Sequence, residues 1–205
     1  MSNQKPDTST EEKIKEAAKT VFYKKGFAAT RTRDIAEEAG LNLALLNYYF
    51  RSKAKLFELI MTETLTIFVK SMRTILNEEN TTLEEKIELL SSNYIDFIIK
   101  EPELPTFIVT EIRHNPGGIL KKLPVKETLI DSAFLKQHQQ AVKEGRITEP
   151  NPLHFLMNLM GLVAFPFIAK PIIMGTRNLQ IEQFNALMIQ RKKLIPVWIK
   201  AMMES

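Results

Sequence analysis

Seven consecutive residues, Leu43-Ala44-Leu45-Leu46-Asn47-Tyr48-Tyr49, combine side chains that suit the edges and backbone of a nucleic-acid duplex. An asparagine such as Asn47 bonds an adenine edge with both amide atoms, and Leu43 or Leu45 offers an apolar contact to a thymine methyl. Ala44 is short enough to permit close approach. Tyr48 and Tyr49 carry hydroxyls that reach phosphate oxygens. Thr30 and Arg31 open a preceding helix and are placed to grip the opposite strand, while Arg33 and Arg51 add long-range attraction. Lys53 stands in the first turn of the next helix, where free amides already favour an anion. Each residue alone has a plain explanation. A lone exposed tyrosine is usually only surface, Asn42 would cap any helix, and Leu43 lies only ~60° from Leu46 around the helix, which leaves it between core and contact. Their conjunction in one short stretch points to DNA.

Such side chains need a fixed frame. Thr30 is expected to cap a helix carrying Ile35, Ala36 and Ala39, and Gly40 to stop it, because glycine takes positive φ without steric cost. Asn42 then restarts the hydrogen-bond ladder for a short helix through about Tyr49. Two short helices joined by Gly40-Leu41-Asn42 form a helix-turn-helix. Ile35, Ala36, Ala39, Leu41, Leu46 and Phe50 are the expected inward residues, sharing a small core with Val21 and Phe22. Those two end the stripe Ile14, Ala17, Ala18, Val21, Phe22 of a first amphipathic helix that opens at Ser9 and stops at Gly26.

The charge agrees with this placement. The first 55 residues hold eleven basic against seven acidic residues, a net of +4, and the remaining 150 hold seventeen of each. A basic module joined to a neutral body fits a polyanion on one side and another partner on the other, although a solvated charged surface gives the same count. With 205 residues and no cysteine, the chain excludes disulfides and thiolate metal sites and suits a reducing compartment. Its polar opening shows no secretory signal, and the apolar stretch "GLVAFPFIA" is too short to cross a bilayer. A cytoplasmic location is expected.

Beyond residue 55 the pattern stays helical. A helix from Ser52 runs to about Leu76, and Thr82-Leu83-Glu84-Glu85 is a capping box. Glu101-Pro102 breaks the helix it opens. A turn is expected at Asn115-Pro116-Gly117-Gly118, and Pro124 suits the first turn of a helix ending at Gly145. Asn151-Pro152 opens an unusually apolar helix, with Pro166 and Pro171 set to kink or end it. A last helix covers about 179–203. No alternating run marks a strand. The fold expected is all-α: a helix-turn-helix domain over 1–55 and a larger helical bundle over 56–205.

Residues 10–57 resemble the DNA-binding domain of the tetracycline-repressor (TetR) family. The string "AAKTVFYKKGFAATRTRDIAEEAGLNLALLNYYFRSKAKLF" holds the family's phenylalanine-glycine helix end, its threonine, its "DIA…AG", its aromatic-rich recognition helix and its "F-x-S-K-x-x-L". By that resemblance Leu43, Ala44, Leu45 and Asn47 face bases, and Thr30, Arg31, Tyr48, Tyr49 and Lys53 face phosphates. Asn47 replaces a frequent tyrosine, and Leu43 and Leu45 replace positions commonly polar or small. These departures lie on the reading face and bear on the operator sequence, not on the fold.

The resemblance further implies a homodimer that represses transcription from a palindromic operator and is released by a small effector. The helix around 152–170 is apolar over most of its circumference, so it is central or shared with a partner. Phe155, Leu159, Leu187 and Trp198 are candidate interface residues of a four-helix contact between two chains. Phe97, Phe107, His114, Phe134 and Met157 are candidate effector-lining residues, for an apolar or amphipathic ligand. No cofactor or metal is implied: His114, His138 and His154 lack ligand spacing, and neither a phosphate loop nor a nucleophile elbow occurs. An enzyme is therefore not expected. A transcriptional activator, or a helical carrier of hydrophobic ligands without a DNA role, are the other readings.

Overall fold

The computed structural model describes residues 8–114, 117 and 132–204. They form ten helices: α1 Thr8–Ala29, α2 Thr32–Glu38, α3 Leu43–Tyr49, α4 Lys53–Asn77, α5 Leu83–Lys100, α6 Leu104–His114, α7 Ala133–Lys143, α8 Pro152–Ile168, α9 Lys170–Arg177 and α10 Ile181–Glu204. No strand occurs among the described residues. The expected turn at 115–118 and the helix start at Pro124 lie outside those residues, apart from Gly117. The chain divides into two compact units, Met1–Leu65 and Thr66–Ser205, so the division falls inside α4.

In the first unit the stripe of α1 is buried: Ile14, Ala18 and Phe22 are fully enclosed. Ile35, Ala36 and Ala39 of the next helix meet them, with Leu46, Phe50, Leu56 and Met61. Ser9 lies within α1 rather than ahead of it. Gly26 breaks the helical path with φ 74°, a conformation only glycine holds without strain. The α2 cap is Arg31, not Thr30: the Arg31 amide donates to Asp34 Oδ2 at 2.9 Å. Gly40 takes φ 63° and ends α2. Asn42 Oδ1 then accepts the Leu45 amide at 2.8 Å, satisfying a free donor of α3.

In the second unit α5 packs on α7, α8 and α10. The capping box is closed in both directions, with Glu85 N donating to Thr82 Oγ1 at 3.1 Å and Thr82 N to Glu85 Oε2 at 2.7 Å. Leu90, Ile95 and Ile98 of α5, Leu159 and Val163 of α8, and Phe184, Ile195 and Ile199 of α10 fill the core. Lys86 is wholly buried, its ammonium spent on the Glu78 carbonyl and on both oxygens of Thr81. Tyr94 lies against Phe68, and burial pushes its hydroxyl up to about 12. Pro166 sits inside α8 and has no N–H for the Leu162 carbonyl four residues back. Arg191 of α10 supplies the missing donor, Nη2 to Leu162 O at 2.8 Å, while its guanidinium covers Trp198 at 5.0 Å. After Ala169 the path bends by 60° into α9. Among the described residues no single helix is long and apolar enough to cross a membrane.

Candidate nucleic-acid interface

α3 spans seven residues, too few to be stable alone. Leu46 is its sole buried residue and seats it on the core of the first unit. Rotation of ~100° per residue then fixes which side chains leave that core. Ala44, Asn47 and Tyr48 are exposed, Tyr48 at 64%, and Leu43, Leu45 and Tyr49 are half-buried. The Tyr48 and Tyr49 rings meet edge to face, 5.4 Å apart, which limits the directions the Tyr48 hydroxyl takes. The face offered is a short methyl, an amide and an aromatic hydroxyl on one side of a rod. Those groups, at that spacing, suit a major groove.

The surrounding charges sort into paired and free. Lys25 pairs with Asp34 at 3.2 Å, and Lys24 approaches Glu38 at 3.8 Å. The Asp34 carboxyl is held below its ordinary range, chiefly by the Arg31 amide and then by Lys25. Arg31, Arg33 and Arg51 are exposed and make no ion pair among the described residues. They are among the cations available to a polyanion.

Two expected phosphate contacts are otherwise engaged. Thr30 is 2% exposed, and its hydroxyl donates to Gly26 O at 2.8 Å. It satisfies the helix end that the Gly26 break leaves open. Lys53 directs its ammonium inward, to Phe27 O and Thr30 O at 2.8 Å each, and over the Phe27 ring at 4.4 Å. Reading the sequence missed this contact because 26 residues separate Lys53 from Phe27 and no local spacing announces it.

The expected effector residues lie on four helices, α5 to α8. Phe97 stacks on Phe68, and Phe107 is buried on α6. Phe134 packs on Phe155 with centroids 4.5 Å apart. His114 is exposed, its Nδ1 turned to Thr110 O, and Met157 is 59% exposed. A groove of about 410 Å³ does lie between the start of α5 and the end of α10, lined by Leu83, Ile87, Ile147, Val197 and Met203. None of the five expected residues lines it.

Two of the expected interface residues are likewise corrected. Phe155 and Leu159 are 5% and 4% exposed within one chain, because they fill its own core, and are not free for a partner. The apolar positions left open include Leu153, Met157 and Met160 on α8, and Leu187, Leu194 and Val197 on α10. Each trio recurs at helical spacing and forms one stripe. Leu187 thus stays open, and Trp198 is half-buried under Arg191.

Residues 14–60 match the family model of bacterial regulatory proteins of the tetR family. The chain belongs to the TetR family. This TetR-family protein is 25% identical over 199 residues to the "probable HTH-type transcriptional regulator YttP" of Bacillus subtilis, covering 94% of this chain and 93% of that one. It is 29% identical over 147 residues to the transcriptional repressor KstR2 of Mycolicibacterium smegmatis, covering 63% of this chain and 72% of that one. Among solved structures, the transcriptional regulator FadR from Bacillus subtilis, in complex with stearoyl-CoA, superposes with a TM-score of 0.61 at 17% identity, covering 94% of this chain and 98% of that one. A TetR-family regulator from Mesorhizobium loti gives 0.63 at 19% identity, with 97% and 98% covered. At these identities the structures establish the shared fold: an N-terminal helix-turn-helix and a helical C-terminal body. The protein is a TetR-family transcriptional regulator.

Proposed function

We propose that the protein is a cytoplasmic, homodimeric repressor. In this reading the first unit binds a palindromic operator through α3, and the second holds the dimer contact and a small apolar or amphipathic effector. The observation that carries the DNA assignment is the seating of α3. A single buried leucine turns Ala44, Asn47 and Tyr48 outward, in a unit where Arg31, Arg33 and Arg51 are exposed and make no ion pair among the described residues. Repression is supported by relatives named as repressors. The open stripes of α8 and α10 support the dimer, because monomers rarely leave such faces uncovered. Two copies of α3 would then enter major grooves about 34–36 Å apart.

An effector releases DNA by its greater affinity for the dimer shape in which the two α3 helices are misplaced. α4, which contains the division between the units, is the element through which such a change would pass. The acyl-CoA in a solved protein of the same fold supports an acyl or similarly amphipathic effector.

Selection of bound fragments from genomic DNA, followed by salt titration of the winning site, tests the reading. A two-fold-symmetric site is expected, with log affinity falling linearly as log salt rises. Sedimentation should give twice the chain mass, and Met157→Lys should give the single chain. Failure to bind any duplex at low salt would leave the hydrophobic-carrier reading standing.

A further inference from the structure

We infer that Lys53 is a positioning residue for DNA recognition: its ammonium latches the α1–α2 turn to the first turn of α4 and so sets the pose of α3. The inference deepens the DNA-binding reading and rests on it.

The carbonyls of Phe27 and Thr30 belong to the end of α1 and the turn after it, where the broken path at Gly26 leaves acceptors without helical donors. Cations are favoured at a helix C-terminus by its partial negative charge. Lys53 delivers one from the next long helix, bonding both oxygens at 2.8 Å. The Phe27 ring meets both the ammonium, at 4.4 Å, and the Phe57 ring, at 4.6 Å. Thr30 is tied from its own side chain to Gly26 O.

The bond to Thr30 spans 23 residues, and that interval contains all of α2, the turn and α3. The helix-turn-helix is therefore a loop closed at its base by charge-assisted hydrogen bonds, which exceed neutral ones in strength. Opening the base frees α2 and the start of α4 to move apart, and α3, joined to both, loses its fixed direction. Base readout depends on that direction. Attraction to phosphates in general does not.

Lys53→Met keeps the length of the side chain and removes the ammonium. The expected result is a loss of roughly tenfold or more in affinity for the selected operator. Affinity for mixed-sequence DNA should stay nearly unchanged, and so should the slope of log affinity against log salt. A slope lower by about 1, with specific and mixed DNA weakened alike, is the mark of an ordinary phosphate contact and overturns the assignment. A second measurement needs neither DNA nor a variant. In ¹⁵N-lysine-labelled wild-type protein, the Lys53 ammonium protons should exchange with water far more slowly than those of exposed Lys55. Equal exchange rates also overturn the latch. If the latch is seen but the wild type binds no duplex, the role in recognition falls together with the DNA-binding reading.

Discussion

Leu46→Ala is the perturbation that most directly tests how α3 is held. Leu46 is 1% exposed and is the one buried residue of this helix. A seven-residue helix has little stability of its own, so its direction depends on that side chain, on the Asn42 cap and on Phe50 at its end. Truncation to alanine removes three buried carbons and leaves a cavity, at a cost of about 2–5 kcal/mol. A compact unit of roughly 60 residues holds about 3–9 kcal/mol in all, at about 0.05–0.15 kcal/mol per residue. The substitution therefore removes from about a fifth of the unit's stability to all of it. The assay is native-state hydrogen exchange, read separately for amides of α1 to α3 and for amides of α5, α8 and α10. Protection should fall in the first set and stay unchanged in the second, and operator affinity should fall with the folded fraction of the first unit. Tyr48→Ala is the control. At 64% exposure it should leave protection within about 0.5 kcal/mol while weakening DNA binding. A Leu46→Ala cost below about 1 kcal/mol, with operator affinity intact, would refute the argument that this leucine sets the reading face.

Further outcomes follow from the same geometry. Asn42→Ala removes the acceptor of the Leu45 amide and should cost about 1 kcal/mol, seen as a lower urea midpoint for the first unit with an unchanged slope. Phe155→Ala opens the contact with Phe134 and should destabilise the second unit by about 3–5 kcal/mol in chemical unfolding, leaving α1 to α3 protection as it was. His138 is buried, and desolvation holds its imidazole below the ordinary 6.5, against the weaker pull of Glu149. The unfolded chain therefore binds a proton first as pH falls, so stability should be level above 6.5 and decline from there toward the lowered folded value. His138→Asn should flatten that decline in a series of thermal melts.

The helices were legible because their signals are local. Ile14, Ala17, Ala18, Val21 and Phe22 recur at helical spacing, and all are buried. Thr82 with Glu85, and Asn42 with Leu45, close their caps as composition implies. Gly26 and Gly40 mark breaks that positive φ confirms. What stayed hidden depends on distance through space. Thr30 resembles a cap or a phosphate ligand until Gly26 O is seen beside its hydroxyl. Lys53 resembles a free cation until the Phe27 and Thr30 carbonyls are placed. The same limit misled the reading of the apolar helix near 152–168. Periodicity marked it as buried somewhere, but could not say that Phe155 and Leu159 face the chain's own core while Met157 faces outward. Phe107 and Phe134 have the right character for a lining, yet such apolar side chains serve equally as plain core, and both are buried.

The bond from Arg191 to the Leu162 carbonyl also bears on how this body tolerates change. Pro166 deletes an amide from the spine of α8, and a side chain 29 positions beyond Leu162 stands in as the absent donor. Helix continuity and helix crossing are thus tied to one atom pair. Arg191→Met would strand a carbonyl in an apolar seam. A lysine there would bring a point charge without the flat fork that also lies over Trp198. Pro166→Ala would return the amide and turn the guanidinium out of work in a place with little water to receive it. A change at either residue thus alters what the other must satisfy, so the two act as a single joint between distant parts of the sequence.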